Sequence, residues 1–168
     1  MADEGGLQNL RAEKDEDSSA YRKWLLFKVG EVVLSIIAIG LIVDPFDSFS
    51  RIFTHQPHLK LSDVAMIYVT LAGFIIVNGI SVLAFFLGDR MPKITALLFT
   101  GLGTIMHLIA GGLMFHNWKK LNGNYAYVYN NHTFGSKLYL DMLISSTAIT
   151  FINGLLFAGD VFVTVKYY

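Results

Sequence analysis

Four long apolar stretches alternate with short polar segments, at about residues 24–43, 64–87, 94–115 and 139–163. Each holds about 20 residues or more, enough for an α-helix rising ~1.5 Å per residue to cross ~30 Å of hydrocarbon. A soluble helix shows one apolar stripe, whereas these stretches are apolar nearly all round. The pattern predicts an all-α membrane protein, a four-transmembrane-helix bundle. It divides the chain into an acidic tail (1–20), a four-span membrane domain (21–165) and a short tail (166–168).

The polar breaks give the connections. Asp44-Pro45 closes span one, because proline cannot continue a helix and pushes its predecessor toward extended geometry. A loop of roughly 45–63 follows. Gly88-Asp89-Arg90-Met91-Pro92-Lys93 is a tight basic turn, which makes spans two and three an antiparallel hairpin. Span three is expected to leave the membrane at His116-Asn117-Trp118, since aromatic residues favour the headgroup level. Tyr21-Arg22-Lys23-Trp24 has the same interfacial character. The second loop, about 117–138, carries Tyr125, Tyr127, Tyr129 and Phe134.

Composition narrows the function classes. The chain of 168 residues is 54% hydrophobic and carries no net formal charge. It contains no cysteine, which excludes disulfides, thiolate metal sites, palmitoylation and thiol nucleophiles. Residues 1–19 include Asp3, Glu4, Glu13, Asp15, Glu16 and Asp17 with few large apolar side chains, the composition of a disordered, solvated tail. No cleavable signal peptide is expected, and span one reads as an uncleaved signal anchor.

Cation counting gives the orientation. Arg11, Lys14, Arg22, Lys23, Arg90, Lys93 and Lys166 lie on the side of the termini; Arg51, Lys60, Lys119, Lys120 and Lys137 lie opposite. The bias places both termini in the cytoplasm. Asn131-His132-Thr133 is then a luminal N-glycosylation sequon.

Ionisable and polar groups inside the spans are the candidate functional residues, because burying them in lipid is costly. Lys28 and Glu31 are three residues apart and share a helix face. They read as a structural pair near the interface or as a proton or cation site. His107 lies mid-span between Gly103 and Gly111, on a face where another helix can approach closely. Asn78-Gly79 and Asn153-Gly154 form a faint internal echo, suited to interhelical hydrogen bonds. Asp160 is expected near headgroups on a tilted span four. Ser146, Thr150, Gly154 and Ala158 step by four and predict a small-residue packing ridge, within the bundle or toward a homo-oligomer. Lys28, Glu31, His107 and Asp160 read as scattered across depths, with no carboxylates paired at one level.

There is no nucleophile elbow, HExxH motif or P-loop, and no second histidine or cysteine at ligand spacing within the spans. The expectation is therefore a non-enzyme with no cofactor, no metal and no nucleic-acid partner, embedded in membrane lipids.

Three further stretches carry a resemblance. They are Phe85-Phe86-Leu87-Gly88-Asp89, then Ala110-Gly111-Gly112-Leu113 leading to His116-Asn117-Trp118, and Ile152-Asn153-Gly154-Leu155-Leu156-Phe157-Ala158-Gly159-Asp160. With four spans and compact loops, the chain resembles MARVEL-like four-span proteins, and more narrowly the insect snakeskin family of smooth septate junctions. Asn153 stands where that family's pattern has an acidic residue. The resemblance implies a multi-pass plasma-membrane protein at apicolateral cell–cell junctions, contributing to the paracellular barrier beside mesh-like and tetraspanin partners. In that setting the loop aromatics Phe46, Phe49 and Phe53 and the 125–134 segment would meet partners or lie on the bilayer. Two other readings stay open: a vesicle-trafficking or membrane-apposition protein, and a small transporter or channel component using Glu31 and His107.

Overall fold

The computed structural model describes residues 22–45, 60–89, 91–122, 127–129, 132–134 and 137–167. The acidic tail, Tyr21, most of the first loop with Phe46, Phe49 and Phe53, and Arg90, Tyr125 and Asn131 lie outside the described residues.

Four helices carry the molecule: α1 Arg22–Pro45, α2 Leu61–Phe86, α3 Lys93–Leu121 and α4 Lys137–Tyr167. All four are long and apolar enough to cross a membrane. A helix of 26 residues such as α2 is ~39 Å long, so its ends project beyond ~30 Å of hydrocarbon. The chain is thus an all-α, four-helix, multi-pass membrane protein. Its exterior is apolar, as lipid requires: Val69, Ile76, Ile80 and Leu83 along α2 are exposed, as are Leu98, Leu102 and Ile105 along α3.

The inner faces follow another rule. On α1 the buried positions include Trp24, Lys28, Glu31, Ser35, Ala38 and Ile42. On α3 they include Ala96, Thr100, Gly103, His107, Ala110, Met114, Asn117 and Leu121. Alternating steps of three and four are the spacing of a coiled-coil seam, the packing of most helical bundles. Much of this seam is polar or small. Its hydroxyls are satisfied locally: Thr70, Ser81, Thr100, Thr104, Thr147 and Thr150 each donate to the carbonyl four residues back at 2.7–3.0 Å.

The α2–α3 turn is built by its glycine. Gly88 has φ +80, the left-handed conformation that L side chains resist. Asp89 N–H donates to Ala84 O at 3.0 Å and Gly88 N–H to Phe85 O at 3.1 Å, a Schellman closure of α2. Across the turn, Lys93 Nζ donates to Val165 O at 3.2 Å, satisfying a C-terminal carbonyl of α4.

At the opposite end α3 runs on through His116-Asn117-Trp118 to Leu121, past the expected exit. Asn117 and Leu121 are buried there, and Lys119 and Lys120 in the last turn suit the negative end of the helix dipole. Beyond it, Tyr127–Tyr129 (β1) pairs antiparallel with His132–Phe134 (β2), Tyr127 opposite Phe134 and Tyr129 opposite His132. The tyrosine-rich loop therefore carries a short hairpin, which the apolar pattern does not predict.

Candidate functional site

Lys28, Glu31, Asn78, Thr100 and Asp160 come from all four helices and meet at one depth. Each stands six to nine residues from the end of its helix nearest the α2–α3 turn. That is ~9–14 Å along the axis. All five are buried.

Lys28 is the centre. Its Nζ lies 2.9 Å from Glu31 Oε2 and 2.6 Å from Asp160 Oδ2. It also donates to Thr100 Oγ1 at 3.2 Å and Asn78 Oδ1 at 3.4 Å. The ammonium thus sits in a cage of four oxygens, one from each helix. Thr100 Oγ1 lies 3.2 Å from Asp160 Oδ2, and Thr164 Oγ1 donates to Asp160 Oδ1 at 3.4 Å. Asp160 therefore has partners on both oxygens. Glu31 has one on Oε2 alone; its Oε1 has no hydrogen-bond partner. With both carboxylates ionised the cluster carries one net negative charge.

This arrangement corrects two sequence expectations. Asp160 is not near headgroups but fully buried, because the α4 seam turns it inward three residues after the buried Phe157. Nor are the carboxylates scattered: Glu31 and Asp160 share one lysine. Local spacing reveals the Lys28–Glu31 pair, whereas Asp160 joins them only through the packing of α1 against α4.

One step deeper lies an aromatic layer. Phe157 is fully buried, with Lys28 Nζ 5.4 Å from its ring centroid, inside cation–π range. Its ring stands 4.6 Å from that of His107 and 5.2 Å from Phe74. The Gly103 notch makes room for it. A methyl group added at Gly103 would stand 2.6 Å from Phe157 Cδ1 and 2.9 Å from Phe74 Cε1. Gly111 receives Phe151 in the same way, with a methyl contact of 3.0 Å.

His107 and Asn153 form the third layer. The imidazole Nδ1 lies 2.8 Å from Gly103 O, and Nε2 lies 3.2 Å from Asn153 Nδ2. The consistent assignment puts the proton on Nδ1, donating to Gly103, and makes Nε2 the acceptor from Asn153. Asn153 Nδ2 also reaches Ser35 Oγ at 2.8 Å and Glu31 O at 3.2 Å, joining α1, α3 and α4. Its Oδ1 and the Nδ2 of Asn78 have no hydrogen-bond partner. Asn78 and Asn153, the two halves of the sequence echo, are both buried, but they hold different partners.

The α4 ridge begins as expected and then drifts. Ser146 donates to Ala38 O at 2.7 Å, Thr150 reaches Met114 Sδ at 3.6 Å, and Gly154 packs on His107. Ala158 is exposed, and the seam continues through Phe157, Asp160 and Thr164. The reason is periodicity: a strict step of four advances faster than the 3.5-residue repeat that keeps a seam facing its neighbour.

Toward the loop end the buried interior holds no charged side chain among the described residues and becomes mainly apolar. Ala38, Ile42, Ile67, Leu71, Ala110, Met114, Leu121 and Leu143 form one buried cluster. Among the described residues no three His, Cys, Asp or Glu side chains gather in a way that could hold a metal ion.

A four-helix membrane bundle with a caged lysine is the class that fold and site define. Residues 22–158 match a family described as a domain of unknown function, DUF7775, and the chain belongs to that family. The matched segment contains Lys28, Glu31, Asn78, Thr100, His107 and Asn153 and ends two residues before Asp160. No curated protein and no solved structure matches the chain.

Proposed function

We propose that the protein is a non-enzymatic, MARVEL-like structural component of epithelial cell–cell junctions of the smooth septate type. It would sit in the apicolateral plasma membrane with both termini cytoplasmic. There it would contribute to the paracellular barrier and help assemble other junction membrane proteins, mesh-like and tetraspanin among them. The observation that carries this reading is the Lys28 cage: three charges from two helices, α1 and α4, are turned inward and bound to one another. Such a core suits a fixed membrane building block with an apolar outside, since intramembrane polar contacts act as glue between helices. The similarity of residues 152–160 and of residues 110–118 to the snakeskin pattern supports the junctional setting.

The test is immuno-electron microscopy of a tagged copy in an epithelium of the source organism. The expected result is label concentrated along lateral cell–cell contacts. Label on internal vesicles would replace this reading with membrane trafficking.

One observation favours a second reading, a small transporter or channel component. Glu31, fully buried, keeps one oxygen without a partner beside Lys28, and intramembrane carboxylates mark ion and proton pathways. Flux across reconstituted vesicles that is lost in Glu31→Gln, at normal surface expression, would establish it.

A further inference from the structure

Four exposed cations stand at one level on the α2–α3 turn end of the bundle. The Lys28–Asp160 pair ties α1 to α4, and Asp160 meets Thr100 of α3. Arg22 lies six residues before Lys28, Lys166 six after Asp160 and Lys93 seven before Thr100, all outward from that layer. Each is therefore ~9–11 Å beyond it, in the outermost turn, where the helices leave the hydrocarbon. Lys23 adjoins Arg22, and all four cations are exposed. Asp89 is the one exposed acid at this end among the described residues. Helix dipoles do not account for the imbalance. The N-termini of α1 and α3 and the C-termini of α2 and α4 meet here, so their roughly half-unit charges cancel.

Three of the cations gather round one seam. By helical spacing Lys23 shares a face of α1 with Phe27 and Gly30, and Lys166 shares a face of α4 with Gly159. Through those faces the two helices pack: a methyl group at Gly159 would stand 3.0 Å from Phe27 Cε1, and one at Gly30 3.1 Å from Leu156 Cδ2. Lys93 Nζ, bonded to Val165 O at 3.2 Å, brings a third ammonium to the same last turn of α4. One turn inward the surface is apolar and open. Leu26, three residues from Lys23, is 71% exposed, and Phe162, four residues before Lys166, is 68% exposed. A molecule with an anionic head and apolar chains matches both levels. A soluble anion uses the lysines alone. So does the acidic segment before α1, since residues 1–19 hold few large apolar side chains. The Phe27–Gly159 contact closes the seam itself, which leaves its outer lip for the chains.

We propose that the outer lip of the α1–α4 seam binds an anionic phospholipid, its headgroup against Lys23, Lys93 and Lys166 and its acyl chains on Leu26 and Phe162. The lysines select by charge, and because they are exposed their attraction weakens as salt is added. The apolar contacts hold the chains without distinguishing one headgroup from another. The site is independent of which membrane the protein occupies, so its test stands apart from the junctional reading.

The full chain is reconstituted in phosphatidylcholine bilayers, and spin-labelled phosphatidylserine and phosphatidylcholine are compared by the fraction that the protein immobilises. Phosphatidylserine should be retained severalfold more, and the excess should shrink with added salt. Lys23→Gln, Lys93→Gln and Lys166→Gln should each lower the preference by up to about fivefold, the attraction of one cation near an anionic surface. Lys119→Gln with Lys120→Gln, at the other end of α3, should leave it unchanged. Soluble glycerophosphoserine, the headgroup without chains, should not displace the label. Where a variant fails to fold, the selectivity and salt dependence of the unaltered chain decide. Equal retention of the two lipids, an excess untouched by the three glutamine variants, or an equal fall from the Lys119 and Lys120 changes overturns the proposal. So does displacement by glycerophosphoserine, which would mark a soluble-anion site. A preference that emerges only when Glu13→Gln, Asp15→Asn, Glu16→Gln and Asp17→Asn are combined would put the acidic segment on the lysines, and overturns it too.

Discussion

The two halves of the bundle are made of different chemistry. Near the α2–α3 turn, the interior is Lys28, Glu31, Asn78, Thr100 and Asp160, held by hydrogen bonds and ion pairs. Near the loops it is mainly Ile42, Ile67, Leu71, Met114 and Leu143, with uncharged Thr70, Asn117, Ser146 and Thr147 also buried. In water the second half would be the stronger. In lipid the hydrophobic term between helices is absent, since the tails are as apolar as leucine. Dispersion still rewards close packing there, but it does not discriminate sharply between one aliphatic face and another. A caged ammonium does discriminate: a rotated or shifted helix leaves a buried charge without its partner. The polar half therefore sets which faces meet, and the apolar half fills the volume that results.

The sharpest way to break this contrast is Lys28→Met. It leaves two carboxylates buried together, and loss of one member of a buried ion pair costs about 3–5 kcal/mol. SDS-titrated unfolding should show that loss. Adding Glu31→Gln and Asp160→Asn in the same chain should recover most of it, whereas no recovery would show that Lys28 acts through packing alone. Leu71→Ala in the other half should cost about 2 kcal/mol, the low end for a buried leucine, since no water is excluded by the contact. Equal losses from Lys28→Met and Leu71→Ala would erase the distinction. Gly103→Ala probes the seam between the halves. With a methyl 2.6 Å from Phe157, it should cost about 1–3 kcal/mol, and pairing it with Phe157→Leu should restore part of that. Ser146→Ala removes the 2.7 Å bond to Ala38 O and should cost about 0.6–2 kcal/mol. The smallest change is expected for Gly88→Ala, about 1 kcal/mol for a side chain at φ +80. It should lower the unfolding midpoint while leaving the rest of the bundle's order of stability unchanged.

The four helices were legible because length and apolarity alone mark a span. Part of the seam was legible too, though by a rule opposite to the soluble one. Lys28 with Glu31 on α1 and Gly103 with His107 on α3 were picked out, whereas Ser35 and Thr100, which continue the same steps of three and four, were missed. In an apolar helix the polar and small residues mark the buried face. A fixed step of four, as in the ridge ending at Ala158, approximates that seam for a few turns and then leaves it. Harder to see was the meeting of Asp160 with Lys28. It depends on which helices are neighbours and how each is rotated, and no local pattern in either segment carries that information. The hairpin from Tyr127 to Phe134 escaped because its strands are three residues long, too short for an alternation to register. The overrun of α3 to Leu121 escaped because Lys119 and Lys120 resemble an interface, although both suit a helix end.

The Lys28–Glu31 pair also bears on how the chain is made. As α1 enters the bilayer it carries its own counter-ion three residues away on the same face, and the two side chains neutralise each other before any other helix is present. Asp160 reaches the membrane three helices later. Within α4 itself its partner is the hydroxyl of Thr164, not a cation. Until α4 settles against α1, Asp160 is an intramembrane carboxylate without a counter-ion, which is costly. Once it settles, Lys28 supplies one. The same carboxylate that completes the finished bundle thus marks the unfinished one.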